Sequence, residues 1–511
     1  MQRVFGIETE YGITVDGREN VDVVSESIEL VRSYTAHGAM MKWDYELEDP
    51  HRDARGFRVD HLLQDTDESA YFEVDRNRAL SYEEIKSDLV LSNGARYYND
   101  HAHPEYSTPE CSTIQEIVAH DKAGERILAE CALRRNHRLG GSQIVRIYKN
   151  NTDFQGHSYG CHDNYLMRRD VAWSDVVAGM LPFLVTRQIF AGAGKVGVES
   201  ENGNATSERF QISQRSDFFS VLVSIDTMNR RPLVNTRDEP HADSSLFRRF
   251  HVIIGDSNMS EWATALKIGS TTLVLELIER NACPAIELAQ PIDATKSISR
   301  DPTFQWIVEL ADGRKISAID IQRIYLAAAR EHLASAPGAE WILDEWETVL
   351  NDLSRAPLSC RDRVDWAAKR FLLDAFREAE NVSWHDPWMQ SLDLAYHNID
   401  WEEGLYYALL NQGQMRRVVS EEQIKDAIFL PPDTTRAFFR GRSVARFNDS
   451  ISSIQWDEIV FGCNGSPHRV KMPHPSNHPH IEHLNASMRS AENLDALVAA
   501  LSRTSSDVVL G

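Results

Sequence analysis

The sequence predicts an α+β fold, and three observations carry that prediction. Trp173 to Phe190 and Asn258 to Glu279 place apolar residues at the three- and four-residue spacing of long helices. Between them, Phe210 to Ser213 and Val221 to Asp226 read as strands. At the N-terminus, Arg3 to Val15 alternates short apolar and polar residues and includes β-branched positions, which suits a half-buried strand with its carboxylates on one face. At 511 residues the length permits about three domains. The patterning divides the chain into residues 1–430, an α+β body, and residues 431–511, a small C-terminal α/β domain.

The remaining elements follow in order. Residues 20 to 40 are expected to be helical. From Lys42 to about Leu80 the pattern fails: charge is dense, Pro50 and Gly56 interrupt, and neither helical nor strand period holds. A long, partly ordered loop is expected, and such loops inside compact domains are usually functional or disordered. Ser81 followed by Glu84 forms a capping box that starts a short helix through Leu91. Asn93-Gly94 then turns the chain into a strand over Ala95 to His101. Gln143 to Lys149 reads as another strand, followed by a polar loop over Asn150 to Gly160. Ser317 to Glu380 is mostly helical, its Trp, Leu and Ala spacing speaking for packing rather than chemistry. Ser420 and Gln423 cap a further helix, and Pro431-Pro432 marks the boundary. Beyond it, short strands alternate with a His/Pro-rich loop, and a helix is expected near Asn493 to Leu501.

Composition excludes several function classes. A formal charge of -23 argues against a nucleic-acid surface, which needs Lys and Arg to displace counterions from phosphates. The six cysteines (Cys111, Cys131, Cys161, Cys283, Cys360 and Cys463) form no C-x-x-C pair and no zinc spacing, so they read as reduced thiols. The N-terminal segment lacks signal-peptide character, and the apolar runs fall short of the roughly 20 residues a spanning helix needs. A soluble, cytoplasmic monomer is expected.

Four segments hold residues that can do chemistry. Glu8-Thr9-Glu10 puts two carboxylates on one strand face, roughly 7 Å apart, a platform for hard divalent cations or simply a solvated pair. The run from Asn93 to Cys111 is dense in titratable groups. There Tyr98 and Asp100 share a strand face, Asp100 can serve as general base or nucleophile, and Glu105 can bind metal. Ser107 and Thr108 can donate to a phosphate. His162 beside Asp163, and His241 beside Asp243, are imidazoles that a carboxylate can orient toward a metal. Arg237 can clamp a phosphoryl group or a carboxylate. No Walker-type glycine loop and no G-x-S-x-G elbow occurs, so metal and carboxylate chemistry remains.

The motifs FGIETEYG, NGARYYNDHAHPEYSTPEC, YKNNTDFQGHSYGCHDNYL, PFLVTRQ, NTRDEPHAD, RFHVIIGDSNMSE and PPDTTRAFFRG resemble those of the Pup ligase and depupylase family over residues 2 to about 460. The resemblance implies a glutamine-synthetase-like fold, in which an antiparallel sheet cradle is packed with helices, plus the small C-terminal domain. The stretch Lys42 to Glu46 with Arg52 to Phe57 is similar to the loop of the family's depupylase branch, which the ligases lack. The implied reaction is hydrolysis of the isopeptide bond between the γ-carboxyl of Pup's C-terminal glutamate and a substrate lysine, or of the amide of a C-terminal glutamine. The implied cofactors are ATP, or ADP plus phosphate, and Mg²⁺.

Residue by residue, Asp100 matches the family's essential aspartate. Glu8, Tyr98, Glu105, His162 and His241 match metal positions, with Glu10 a further metal or water partner. Gly6, Ile7, Glu8, Thr9, Glu10, Ser107, Thr108, Asn164 and Arg237 fall where the family holds ATP. Glu239 lies in the same motif as Arg237, and Trp456 resembles an adenine-stacking tryptophan; Arg436 and Arg440 can reach phosphate. The implied partners are Pup and pupylated proteins, with Arg230, Arg231, Arg248 and Arg249 as candidates for a locally basic Pup groove. The competing readings are the sister ligase, which would form the same bond, and a catalytically silent Pup-binding regulator.

Overall fold

The alternation of apolar and polar residues in Phe5-Gly6-Ile7-Glu8-Thr9-Glu10 sends Phe5, Ile7 and Thr9 to one side of a strand and the two glutamates to the other. In the computed structural model, which describes residues 3–18, 21–35, 42–63, 80–199, 206–463, 466–502 and 508–510, this strand lies near the middle of a six-stranded sheet. Its strands, numbered in chain order, are β1 (Phe5–Glu10), β2 (Leu89–Val90), β3 (Arg96–Asp100), β4 (His103–Ser107), β5 (Cys161–Arg168) and β6 (Phe247–Val252). The spatial order is β6-β5-β1-β4-β3-β2, and every neighbouring pair is antiparallel.

One face of the sheet is core. Phe5 and Ile7 of β1, Tyr165 and Met167 of β5 and Phe250 of β6 pack with residues from the helices α1 (Ile114–Leu139), α2 (Trp173–Thr186) and α3 (Glu261–Glu279). Helix α3 is buried on nearly every side along almost its whole length, Lys267, Ser270, Thr271 and Thr272 included. Removing one of its fully buried leucines, such as Leu273, would leave a cavity costing about 3 kcal/mol. The opposite face of the sheet carries the polar residues, so the pairing register decides which of them meet.

Three departures from the sequence expectations have physical causes. The predicted N-terminal strand is two: β1 ends at Glu10, and Gly12–Asp16 pairs instead with Ile144–Tyr148. The Ser81 helix keeps its reciprocal capping box but stops at Lys86, because Ser87 turns left-handed (φ 49°) and Leu89-Val90 joins the sheet. Residues 42–63 are not loosely held. Trp43 bridges to Ile454, Asp53 bridges to Arg237, and the Thr236 hydroxyl donates to Asp53 at 2.6 Å. Residues 64–79 of the expected loop lie outside the described residues.

The segment after Pro431-Pro432 contains a helix, α4 (Arg436–Phe447), and a four-stranded sheet of Ile451–Ile454, Glu458–Cys463, Ser466–Lys471 and Val508–Leu510. Helices Pro479–Ser490 and Leu494–Ser502 pack on it; the first arises inside the predicted His/Pro-rich loop, with the His478 side chain accepting from the backbone N–H of His480. Its apolar cluster, which includes Phe439, Ile459 and Leu484, also takes in Trp43 and Val90 from the N-terminal part. Cys111, Cys131, Cys161, Cys283 and Cys360 are free, and no described helix is long and apolar enough to cross a membrane.

Candidate active site

Antiparallel pairing places Glu8 of β1 opposite Ser107 on β4 and His162 on β5, and Glu10 opposite Glu105. On the far side of β4, Tyr98 faces Glu105 and Asp100 faces His103. Because facing residues in a ladder point to the same side, Glu8, Glu10, Tyr98, Asp100, Glu105 and His162 converge on the polar face. They line a cavity of about 680 Å³.

Within it are two sets of side chains able to hold a cation, each with ligand atoms within 4.8 Å of one another. The first is Glu8, His162 and His251; the second is Glu10, Asp100 and Glu105. Glu8 is 3.4 Å from His162 Nδ1 and 3.7 Å from His251 Nε2. Burial alone would raise the Glu8 carboxyl, but His162, His251 and Arg249 outweigh it and hold the group well below its ordinary range. His251 is itself driven down to about 3, by burial and then by Arg249, against the opposing pull of Glu8. Among the described residues neither of its buried ring nitrogens finds a hydrogen-bond partner.

Asp100 accepts from Lys86 Nζ at 2.5 Å and lies 2.9 Å from His101 Nδ1. Burial pushes its carboxyl up, but His101 and Lys86 more than compensate, and the group is held well below the usual aspartate range. Glu105 moves the other way, raised well above its ordinary value by burial and by the charges of Asp100, Glu10 and Glu8. A crowd of acids in which one is forced toward its neutral form is the arrangement a divalent cation relieves. Gly160 permits this crowding, since any side chain there would collide with His162 and Glu10.

A second, narrower cavity of about 100 Å³ adjoins the first. Gly6, Ile7, Ser107, Thr108 and Asn164 form one wall and Trp456 another. The Thr108 side chain and backbone fix it to β1: Ile7 N–H donates to Thr108 Oγ1 at 3.0 Å and Thr108 N–H to the Ile7 carbonyl at 2.9 Å. Asn164 donates to Glu8 at 3.0 Å. Trp456 lines both cavities and meets Trp43 edge-on, ring centroids 5.4 Å apart.

The structure thus gathers most of the residues singled out in the sequence, with three differences. Thr9 turns its side chain into the core against Cys161, because it sits one residue out of phase with the glutamates. His241 lines both cavities but belongs to neither cation-binding set, and burial, then Arg249, lowers it to about 4. The imidazole beside Glu8 and His162 is instead His251, two residues from Arg249 on the same face of β6; that i, i+2 pairing was the signal to read. Arg436 and Arg440 are committed to Glu110, at 2.7 and 2.5 Å. Arg237 and Glu239 line the larger cavity, where Glu239 accepts from the Asp49 N–H at 2.6 Å and faces Arg249 at 3.7 Å. Lys86, which the sequence did not single out, is Asp100's closest partner.

The family model described as Pup-ligase protein matches residues 3–460. A protein named depupylase from Acidothermus cellulolyticus is 43% identical over 516 residues, covering 98% of this chain and 99% of that one. A Pup deamidase/depupylase of Mycolicibacterium smegmatis is 42% identical over 474 residues, covering 91% and 92%. A Pup–protein ligase of Kribbella flavida is 41% identical over 415 residues, covering 79% and 90%. Among solved structures, the complex between Pup and its ligase PafA superposes with a TM-score of 0.77 at 30% identity, covering 99% of this chain and 96% of that one. PafA in complex with ADP gives 0.72 at 33% identity, covering 86% and 98%. The fold is accordingly glutamine-synthetase-like, a helix-backed antiparallel sheet with the site on its free face.

Proposed function

The chain belongs to the Pup-ligase protein family, and from that premise we propose that it is a Pup deamidase and depupylase. It hydrolyses the side-chain amide of a C-terminal glutamine of Pup and the isopeptide bond that joins Pup to a lysine. The observation that carries this reading is the convergence of Asp100 and two cation-binding sets in one cavity beside a tryptophan-walled slot. The depupylase names of relatives matching nearly the whole chain support it over the ligase reaction.

The donor chemistry fits divalent cations, on two observations: the buried, unbonded ring nitrogens of His251 and the mutual crowding of Glu10, Asp100 and Glu105. The all-oxygen set suits Mg²⁺, with the Tyr98 ring beside it, and the set with two imidazoles also suits Mn²⁺. Cations bound there supply positive charge for nucleotide phosphates and for a carbonyl oxygen becoming anionic.

The protein's own groups carry the rest. Trp456 offers a stacking face in the narrow slot, where Ser107, Thr108 and Asn164 present hydrogen-bonding groups, and Arg237 and Arg249 direct charge toward the phosphate end. Amide hydrolysis runs downhill, so ATP, or ADP plus phosphate, acts as a cofactor that completes the site. Lys86 and His101 keep Asp100 ionised and oriented. Asp100 then either attacks the scissile carbonyl carbon, breaking its C–N bond as the departing nitrogen takes up a proton and leaving a mixed anhydride that water hydrolyses, or takes a proton from the water that attacks that carbon.

The test uses purified protein with ATP and Mg²⁺. Loss of a preformed Pup–protein conjugate, and ammonia release from glutamine-ended Pup, are expected, and both should vanish in Asp100→Asn while nucleotide binding persists. Formation of new conjugate from glutamate-ended Pup and a lysine-bearing protein, without cleavage of old conjugate, would establish the ligase instead.

A further inference from the structure

The two reactions proposed above break the same kind of bond and differ in one place, the group carried by the departing nitrogen. In the amide of a C-terminal glutamine that nitrogen carries only hydrogen. In the isopeptide it carries the four-carbon stem of a lysine. The acids and cation-binding sets serve the part common to both substrates, whereas an aliphatic stem gains only from apolar surface.

Such surface lies at the rim of the large cavity. Of the apolar side chains that line it, Tyr82 and Leu63 are the exposed ones among the described residues, at 55% and 48%. The Tyr82 ring meets that of Tyr45, another lining residue, edge-on with centroids 5.0 Å apart. Both tyrosines are fixed from behind. The Tyr45 hydroxyl accepts from Arg96 Nη2 at 3.4 Å, and the Arg96 guanidinium lies over the Trp43 ring, 4.1 Å from its centroid, while pairing with Asp88 at 2.6 Å. Tyr82 opens the short helix that the Ser81–Glu84 capping box closes at its N-terminus. A ring left this exposed draws little stability from packing, because that gain scales with the area removed from water. Its uncovered surface is free for a ligand.

The same helix sets the distance to the chemistry. Lys86, which donates to Asp100 at 2.5 Å, follows Tyr82 by four residues. Residues so spaced share a helix face and stand roughly 5 Å apart along the axis, a length that a lysine stem spans. The two side chains are close enough to act on each other electrostatically. We propose that Tyr45 and Tyr82 form an apolar mouth that receives the aliphatic stem of the substrate lysine while its isopeptide carbonyl lies at Asp100. The inference rests on the amidase reading and adds to it a rule of specificity: the tyrosines favour an amide whose nitrogen carries an alkyl chain over the bare amide of glutamine.

The experiment uses Pup whose C-terminal glutamate bears a γ-methylamide or a γ-butylamide, two leaving amines of nearly equal basicity that differ in stem length. With ATP and Mg²⁺ present, wild-type kcat/KM should be on the order of tenfold higher for the butylamide, because its added methylenes lie against the rings. In Tyr82→Ala that ratio should collapse toward one, and in Tyr82→Phe, which keeps the ring, it should persist. A displaced Lys86 would slow both substrates alike and leave the ratio as it was, so the ratio reports the mouth alone. Equal rates for the two amides in the wild type, or a ratio undiminished in Tyr82→Ala, would overturn the proposal. Absence of hydrolysis with every amide would remove the amidase reading, and calorimetry then still decides the mouth. Tighter binding of the butylamide that is lost in Tyr82→Ala sustains it, and equal affinity for the two amides overturns it.

Discussion

Lys86 and His101 grip the two oxygens of Asp100, and this pinning has a kinetic consequence. Lys86→Met frees one oxygen, and a displacement of about 1 Å at a reacting group can cost on the order of a hundredfold in kcat. Nucleotide affinity should be retained. Because Lys86 helps hold the Asp100 carboxyl down, its loss lets that value rise, and the acid limb of the kcat–pH profile should move to higher pH. An unshifted limb would show that His101 suffices. At the cation-binding sets, His251→Ala should weaken Mn²⁺ binding by at least ~10-fold, read by electron paramagnetic resonance, while His241→Ala should weaken it less. The reverse order would restore His241 as the ligand. The acids were legible in the sequence because E-x-E and the Asn93–Cys111 run concentrate titratable groups that a plain strand has no use for. His251 was not, because no strand was read over its segment and only the β5 register shows which side of β6 faces the cavity.

Glu110 follows β4 and joins two elements distant in sequence, accepting from Arg436 and Arg440 of α4, while Arg440 also donates to the Gly94 carbonyl at 2.7 Å. Burial would raise its carboxyl, but the two arginines outweigh it and lower the group from 4.5 to about 2. A carboxyl lowered on folding stabilises the native state above its unfolded value, and that stability fades as pH falls from about 4.5 toward 2. The shift is worth about 3 kcal/mol, so Glu110→Gln should lower Tm at pH 7 and flatten its decline in acid, as scanning calorimetry would register. Parallel acid profiles for variant and wild type would place the acid sensitivity elsewhere. Helices with strong local signals, such as those capped by Ser81 and Ser420, were legible in the sequence because a cap needs only its own turn. The docking of residues 42–63 was not. It depends on Trp43 entering the C-terminal apolar cluster and on Asp53 reaching Thr236, contacts that no local period encodes.

Taken whole, the molecule carries a formal charge of -23 and folds four acids, Glu8, Glu10, Asp100 and Glu105, into one cavity. The core supports this concentration because the same alternation that turns the acids inward on one face buries Phe5, Ile7 and Tyr165 on the other. The slot beside it is walled by Gly6 and Ile7 of the central sheet and by Trp456 of the C-terminal segment. A nucleotide there would therefore contact both, and its binding free energy would add to their association. At a hundred times its dissociation constant a ligand stabilises the native state by about 2.7 kcal/mol, which for a chain of this size raises Tm by a few degrees. Mg²⁺ with ADP should raise Tm by more than the two added separately, since cations neutralise the acids that would otherwise repel the phosphates, and EDTA should reverse the gain. In Trp456→Ala the response to Mg²⁺ alone should persist while the increment from ADP is lost. An undiminished ADP increment in that variant would place the nucleotide outside the slot and separate the C-terminal segment from cofactor binding.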